Sequence, residues 1–373
     1  MSSANQFPCS QCGAALEFAP GRDALVCPYC GTSNSLPRSA QMVEELDFMS
    51  ALADRSAADA TIERLTVTCS ACGAESALAP GVTADRCPFC GTAIVAQAAS
   101  RRAIKPNAVV PFRIPADEAS RLFRNWISSL WFAPRDLAQR ARADGVRGAY
   151  VPYWTYDCHS ETWYTGQRGE NYTVTETYTA TETRTTVIDG RTVSRSVPVT
   201  RTRTVTRVRW YPVSGRVVRD FDDVLVPASA SLPRKLMDRL APWNLSELVQ
   251  YADHYLAGFV AEAYQTDLAG GFEQAKVLME ADIRQAICRD IGGDHQRIST
   301  MRTRWSDITF KHILLPLWIS AFRYRDKSYR FVINGQTGRV AGERPYSAMK
   351  IAAAVVVALA VAAIIVLLMN WRA

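Results

Sequence analysis

Three patterns of apolar and polar positions divide the chain. Residues 351–369, IAAAVVVALAVAAIIVLLM, are nineteen consecutive apolar positions without charge or proline. At about 1.5 Å per residue they extend about 28 Å, the depth of a bilayer's hydrocarbon core, and predict a transmembrane helix over 347–370. A buried helix of a soluble protein would rarely lack a polar face over that length.

Residues 165–210 instead alternate strictly: NYTVTETYTATETRTTV, then Asp189-Gly190, then RTVSRSVPVTRTRTVTRVRW. Period two predicts two strands, and Asp-Gly is a two-residue hairpin turn that fixes their register. Counting outward from the turn places Glu176 opposite Arg203 and Glu170 opposite Arg209. On the other face Thr173, Thr175, Thr177 and Thr179 meet Thr206, Thr204, Thr202 and Thr200. Neither face is apolar, so the expectation is a long hairpin that protrudes rather than a core sheet.

Elsewhere from residue 99 the pattern is mixed. AVVPF (108–112) reads as a strand, ADEASRLFRNWISSLW (116–131) as an amphipathic helix with Leu122, Phe123, Trp126 and Ile127 on one side, and GAYVPYWTYDC (148–158) as a strand. A second pass gives a strand at DVLVPAS (223–229), two or three helices over 233–289, and strands over 312–340 broken by a turn at NGQTG (334–338). The likeness of YVPYW (150–154) to LLPLW (314–318) suggests a duplicated β-α-β unit.

The first hundred residues carry a different signal. CSQCGAALEFAPGRDALVCPYCGT (9–32) returns sixty residues later as CSACGAESALAPGVTADRCPFCGT (69–92), with 14 of 24 positions identical. Each copy holds CxxC, fourteen intervening residues, then CPxC. A CxxC turn brings two sulfurs near one point, and two such knuckles supply the four thiolates of a closed tetrahedral Zn²⁺ site. Cys9, Cys12, Cys27 and Cys30 are therefore assigned to one structural ion and Cys69, Cys72, Cys87 and Cys90 to a second. A ribbon of this size buries little core, so the metal is expected to fold it. Redox-active dithiols and a rubredoxin-like iron site are the alternatives. Residues 38–66, with Met42, Val43, Leu46 and Met49 near helical spacing and Ser39 as a cap, read as a helical linker between the ribbons.

The fold class expected is thus α+β: ribbons at 1–37 and 67–98, the linker at 38–66, a β-rich mixed domain at 99–346 with the long hairpin 165–210, and the membrane helix at 347–370.

Charge and the remaining cysteines narrow the function. The net charge of +7 is modest, and only six of the 43 basic residues are lysine. Each ribbon offers one basic side chain, Arg22 or Arg86, whereas a nucleic-acid reader would need several to neutralise phosphates. Eight of the ten cysteines sit in CxxC pairs, and no basic-plus-apolar leader opens the sequence, so a reducing compartment is expected. Arg339, Arg344 and Lys350 precede the apolar run and only Arg372 follows it, which by the positive-inside rule keeps the N-terminal bulk in the cytoplasm. His159, His254, His295 and His312 are scattered, and no Gly-Lys dipeptide exists to build a phosphate loop. No catalytic constellation is visible.

The CPxCG ribbons, the segment LPLW…NGQTGRVAGERPYS and the terminal apolar run together resemble a family of bacterial zinc-ribbon membrane proteins. Its members are labelled TFIIB-type zinc-ribbon proteins or "primosomal protein N′ (replication factor Y), superfamily II helicase". The resemblance implies a membrane adaptor that recruits phage-shock-protein-A-like or SPFH (flotillin-like) partners in envelope-stress assemblies. The leading expectation is a non-enzymatic, tail-anchored scaffold of the inner (plasma) membrane, spanning it at 351–369, whose two zinc ribbons and β-rich domain present a protein-docking surface. Self-association is a further option. The alternative is a nucleic-acid-binding protein that uses the arginine-rich strand 191–209.

Overall fold

The computed structural model describes residues 7–36, 43–53, 61–70, 74–77, 84–87, 89, 92–95, 99–137, 142–143, 145–188, 191–325 and 327–371. The fold is mixed α+β and mostly sheet, and it separates into two compact units: Met1–Asp157 with Asp223–Ala275 and Ile308–Ala373, and Cys158–Asp222 with Lys276–Asp307.

In the larger unit, apolar side chains alternate along adjacent strands and so sort onto two faces of one sheet. Val109, Tyr150, Leu314 and Trp318 belong to one core. Their neighbours Ala108, Val110, Ala149, Val151, Ile313, Leu315 and Leu317 belong to another. Ala108–Val109 runs parallel to Ile313–Leu314, and Ala149–Tyr150 parallel to Val260–Ala261. A sheet buried on both faces needs two covers. The helix Ala116–Ser128 covers the first face with Phe123 and Ile127 buried, and Leu122 and Trp126 packed beside them. The short helix Arg234–Asp238 brings Leu236 and Met237 to the second.

The ribbons complete these covers. Cys9, Leu16, Phe18, Leu25 and Cys27 join the first core, whereas Cys69, Ala74, Cys87 and Phe89 join the second. The first ribbon is a three-stranded sheet of Glu17–Phe18, Ala24–Val26 and Ser33–Ser35. It is tied down by Phe18 N donating to Ala257 O at 3.0 Å and Gly21 N to Phe112 O at 3.0 Å. Gly21 has φ +75°, and a Cβ there would meet the Arg113 carbonyl at 3.0 Å, so only glycine suits the crossing.

The segment between the ribbons does more than space them. The helix Phe48–Ala53 buries Phe48 against Tyr156 and Phe272, and Leu46–Asp47 pairs with Thr309 and Phe310 as a strand. Met42 and Ser39 of the expected linker helix lie outside the described residues.

The helix Leu268–Ile291 begins in this unit, where the Asp267 carboxylate accepts from Gly270 N at 2.8 Å. Gly271 lies against the sheet: a Cβ there would stand 2.2 Å from Tyr156 Oη and 2.8 Å from Trp154 Cδ1.

In the smaller unit the paired strands run beyond the expected hairpin 165–210 and gain a third neighbour. The strands Arg147–Ile188 and Arg191–Pro227 are neighbours in the sheet, and His295–Tyr324 flanks the first on its other side. Within this unit, Thr162 reaches Thr303 at 2.9 Å and Thr165 reaches Thr300 at 2.6 Å, so one strand's numbering rises as the other's falls and the two run antiparallel. Tyr164, Val213, Val217, Phe221, Ile298, Met301 and Trp305 pack with Ile283, Ile287 and Ile291 of the helix into a small core. Glu176 meets Arg203 at 3.3 Å, as counting from the turn requires, and also meets Arg207. Glu170 pairs with Arg168 at 3.0 Å, and Arg209 lies over the Tyr172 ring. The turn residues Asp189 and Gly190 lie outside the described residues.

The chain ends in the helix Ala348–Trp371, whose mean hydropathy is 3.2 with none of its apolar window buried. It is long and apolar enough to cross a membrane.

Candidate metal centre

Two glycine-terminated knuckles build the first site. Cys9 N donates to Ala14 O at 2.7 Å and Gly13 N to Cys9 O at 2.9 Å. In the other knuckle Cys27 N donates to Thr32 O at 2.9 Å and Gly31 N to Cys27 O at 3.0 Å. Gly13 and Gly31 both have φ +73°, the left-handed conformation that lets each turn close behind its sulfurs. The result brings Cys9, Cys12, Cys27 and Cys30 together, with their sulfurs all within 4.8 Å of one another. Cys9 Sγ is 3.5 Å from Cys30 Sγ, and Cys12 Sγ is 3.5 Å from Cys27 Sγ. Four thiolates about 2.3 Å from a tetrahedral zinc would stand about 3.8 Å apart. The donor set therefore fits one metal ion with little adjustment.

The electrostatics point the same way. The Thr32 hydroxyl, 3.2 Å from Cys30 Sγ, and the Thr32 amide hold Cys30 down at about 6. The Cys12 and Gln11 amides lower Cys9. Cys12 feels a lowering pull from the Ala14 amide, but Cys27 and Cys30 crowd it and leave it up at about 12. The knuckle amides thus stabilise some thiolates, while mutual repulsion resists ionising all four until a cation is present. Cys9 and Cys27 are buried, whereas Cys12 and Cys30 are exposed.

In the second ribbon Cys69 and Cys87 are buried. Cys69 N donates to Ala74 O and Cys87 N to Thr92 O, each at 2.8 Å, the same hydrogen bonds displaced by sixty residues. Cys72 and Cys90 lie outside the described residues.

Two buried ionisable residues, Lys311 and Glu262, belong to no motif. Lys311, 7% exposed, has its Nζ 2.9 Å from Glu45 Oε1, 3.4 Å from Asp157 Oδ2 and 2.9 Å from Asp223 Oδ1. Burial pushes Asp157 up to about 6, against the Asp223 amide and the Lys311 charge. A lysine inside the apolar run ITFKHILLPLW was a readable signal of such a cluster.

Glu262 is 2% exposed and lies where Ala263 N donates to Glu75 O of the second ribbon at 3.0 Å. Ser231 Oγ donates to its Oε1, and among the described residues its Oε2 has no partner. Burial pushes it up to about 8, opposed by the Ser231 and Ser229 hydroxyls and aided by the Glu75 charge. Because the folded value lies above an ordinary carboxyl's, the neutral acid's contribution is complete below about pH 4.5 and is lost as pH rises through 8. Glu262→Gln should therefore flatten the fall in melting temperature between pH 7 and 9. Equal pH slopes for the two proteins would exclude this role.

The histidines remain dispersed. His159 pairs with Asp220 at 2.6 Å, His295 with Asn171 at 3.0 Å, and His312 Nδ1 lies 2.9 Å from Ile104 O. His254 lies beside the Tyr255 ring.

Comparison with known proteins gives little to transfer. No family model matches the chain, and no solved structure matches it. The chain is 26% identical over 272 residues to the uncharacterized protein YdjG of Bacillus subtilis (strain 168), an alignment that covers 70% of each chain.

Proposed function

We propose that the chain is a non-enzymatic, tail-anchored scaffold of the bacterial inner membrane. Its bulk lies in the cytoplasm, and structural Zn²⁺ closes both ribbons. The observation that carries the reading is the convergence of Cys9, Cys12, Cys27 and Cys30 in the compact unit that also contains the exposed apolar helix. Repetition of the knuckle hydrogen bonds at Cys69 and Cys87 supports a second ion held by Cys69, Cys72, Cys87 and Cys90.

The sequence carries the ribbon module twice because the sheet has two faces to cover, so the metal's task is structural capping. The duplicated β-α-β reading draws support from the two parallel pairings, in which LLPLW and YVPYW each accompany a two-residue strand. Docking of protein partners falls to the smaller unit, with SPFH-like or phage-shock-protein-A-like proteins the partners implied by resemblance. Its arginines favour this over nucleic acid. Arg203 and Arg207 pair with Glu176, Arg216 with Glu161 and Arg219 with Asp282, leaving less charge for phosphates.

Metal analysis of the purified full chain should find two zinc ions and no iron. Protease added to intact spheroplasts should spare the ribbons, and cross-linking in membranes should recover a cytoplasmic protein. Digestion of the ribbons from outside would sink the topology, and steeply salt-dependent DNA binding would favour the alternative.

A further inference from the structure

The segment that follows the helix Ala116–Ser128 combines two properties that rarely coincide. It is held firmly, since Leu130, Ala133 and Leu137 are buried in the core. Yet between these anchors it turns out two large rings: Trp131 is 79% exposed and Phe132 37%, with ring centroids 6.4 Å apart and planes 22° from parallel. Rings held outward from a well-packed segment keep an apolar surface in water, an arrangement that normally marks a place where something else covers it.

The same segment is bonded to the first turn of the apolar helix. Ser347 N donates to Phe132 O at 2.8 Å, and Lys350 Nζ donates to Trp131 O and Ala133 O, each at 2.8 Å. The Ser347 hydroxyl accepts from Lys350 N at 3.4 Å, a helix cap that fixes where the span begins. Tyr346 and Met349, 61% and 83% exposed, stand on the residues flanking this junction, and Arg344 lies over the Tyr346 ring. Trp131 and Phe132 are therefore fixed by hydrogen bonds to the level at which the helix would leave water. Aromatic rings favour that level of a bilayer, with their faces among acyl chains and their edges near headgroups. The residues SSLWFA (128–133) carry no charge that would oppose immersion.

We infer that the Trp131–Phe132 loop is a second membrane contact, set into the interfacial layer of the bilayer beside the start of the apolar helix. The inference rests on the spanning reading of residues 351–369 and adds to it. A lone span leaves the cytoplasmic unit free to swivel, whereas a wedge tied to the first turn fixes which face meets the lipid. Lipid is the occupant indicated, because the patch is continuous with the helix surface that needs lipid itself. A second copy of the chain or another protein would cover the rings without that continuity.

The full chain, reconstituted into nanodiscs of phosphatidylcholine and phosphatidylglycerol, tests this. The discs are prepared with and without lipid brominated near the carbonyl end of the acyl chains. The chain has nine tryptophans, so emission of the wild type minus that of Trp131→Phe isolates Trp131, and the difference with Trp371→Phe isolates Trp371 at the helix end. Bromolipid should quench both components, Trp131 by about twofold. Quenching of Trp371 but not Trp131 would overturn the wedge and leave the span intact. A Trp131 component that is blue-shifted yet unquenched would also overturn it, since protein rather than lipid would then cover the ring. If neither is quenched, the spanning reading falls and the wedge with it. Trp131→Phe keeps a ring at a site that is largely exposed, and normal quenching of Trp371 in that variant certifies its insertion.

Discussion

Replacing Cys27 with serine should remove one equivalent of bound metal and unfold the first ribbon. Cys27 is 1% exposed, its sulfur is 3.5 Å from Cys12 Sγ, and it is also part of the core beneath the ribbon. The substitution therefore acts twice. It takes away one of four thiolates, which a neutral hydroxyl cannot replace as a zinc ligand, and it buries an unsatisfied polar group in an apolar setting. Loss of a structural metal belongs to the few changes that cost a protein roughly 4 kcal/mol or more. Metal content by mass spectrometry and urea unfolding would read both effects. Because the ribbon covers one face of the sheet, proteolysis should then reach residues near Phe112 and Tyr255 as well as the ribbon itself. Unchanged metal content with an unchanged unfolding midpoint would exclude the site.

Lys311→Met should be nearly as damaging for the opposite reason: it removes the cation and leaves the anions. Lys311 Nζ is the shared partner of Glu45, Asp157 and Asp223. Breaking a buried ion pair from one side typically costs about 3–5 kcal/mol, and the low end applies here, because Asp157 has lost its water whereas Glu45, 42% exposed, and Asp223, 31% exposed, keep part of theirs. The penalty should depend on pH in a stated direction. Asp157 already stands at about 6 through burial, which the Lys311 charge opposes, and Glu45 is held down chiefly by its bond to Lys311, so without the lysine both should rise. Folded-state values above the unfolded ones favour the folded protein at low pH and disfavour it as pH rises. The deficit should accordingly narrow at pH 5 and widen at pH 8. A deficit that is flat from pH 5 to 8, measured by urea unfolding, would mean that Lys311 contributes packing rather than charge.

The parts of this protein legible from its sequence are those whose physics is local. CxxC knuckles, a nineteen-residue apolar run and the amphipathic helix at Ala116–Ser128 each announce themselves within a few turns of chain. The alternating strands were equally plain, as was the pairing of Glu176 with Arg203. What the alternation did not disclose was length and company. The strand Arg147–Ile188 continues well before residue 165, and the strand His295–Tyr324 joins it from far along the chain. Thr300 and Thr303 look like surface residues until paired with Thr165 and Thr162. The apolar side chains that support this unit, Ile283, Ile287 and Ile291, come from a helix whose partner strands no local pattern names. Glu262 was illegible for a related reason. Nothing in the stretch VAEAY separates a surface glutamate from a buried one, because its surroundings, Ser231 on its carboxyl and Glu75 bonded to the next residue, come from distant parts of the chain.

The glycine at 271 shows how such distant packing limits what the chain can become. In an isolated helix, alanine would be favoured over glycine by about 1 kcal/mol, and the pair Gly270-Gly271 would look like a weakness open to repair. At 271 the first added carbon collides with the Tyr156 hydroxyl and the Trp154 ring, both held in the sheet. The stretch remains poor helix former because its bareness sets the spacing between two layers. Gains in the helix's own preference and closeness to its neighbour exclude each other at that residue, and thermal improvement of this protein must be sought elsewhere.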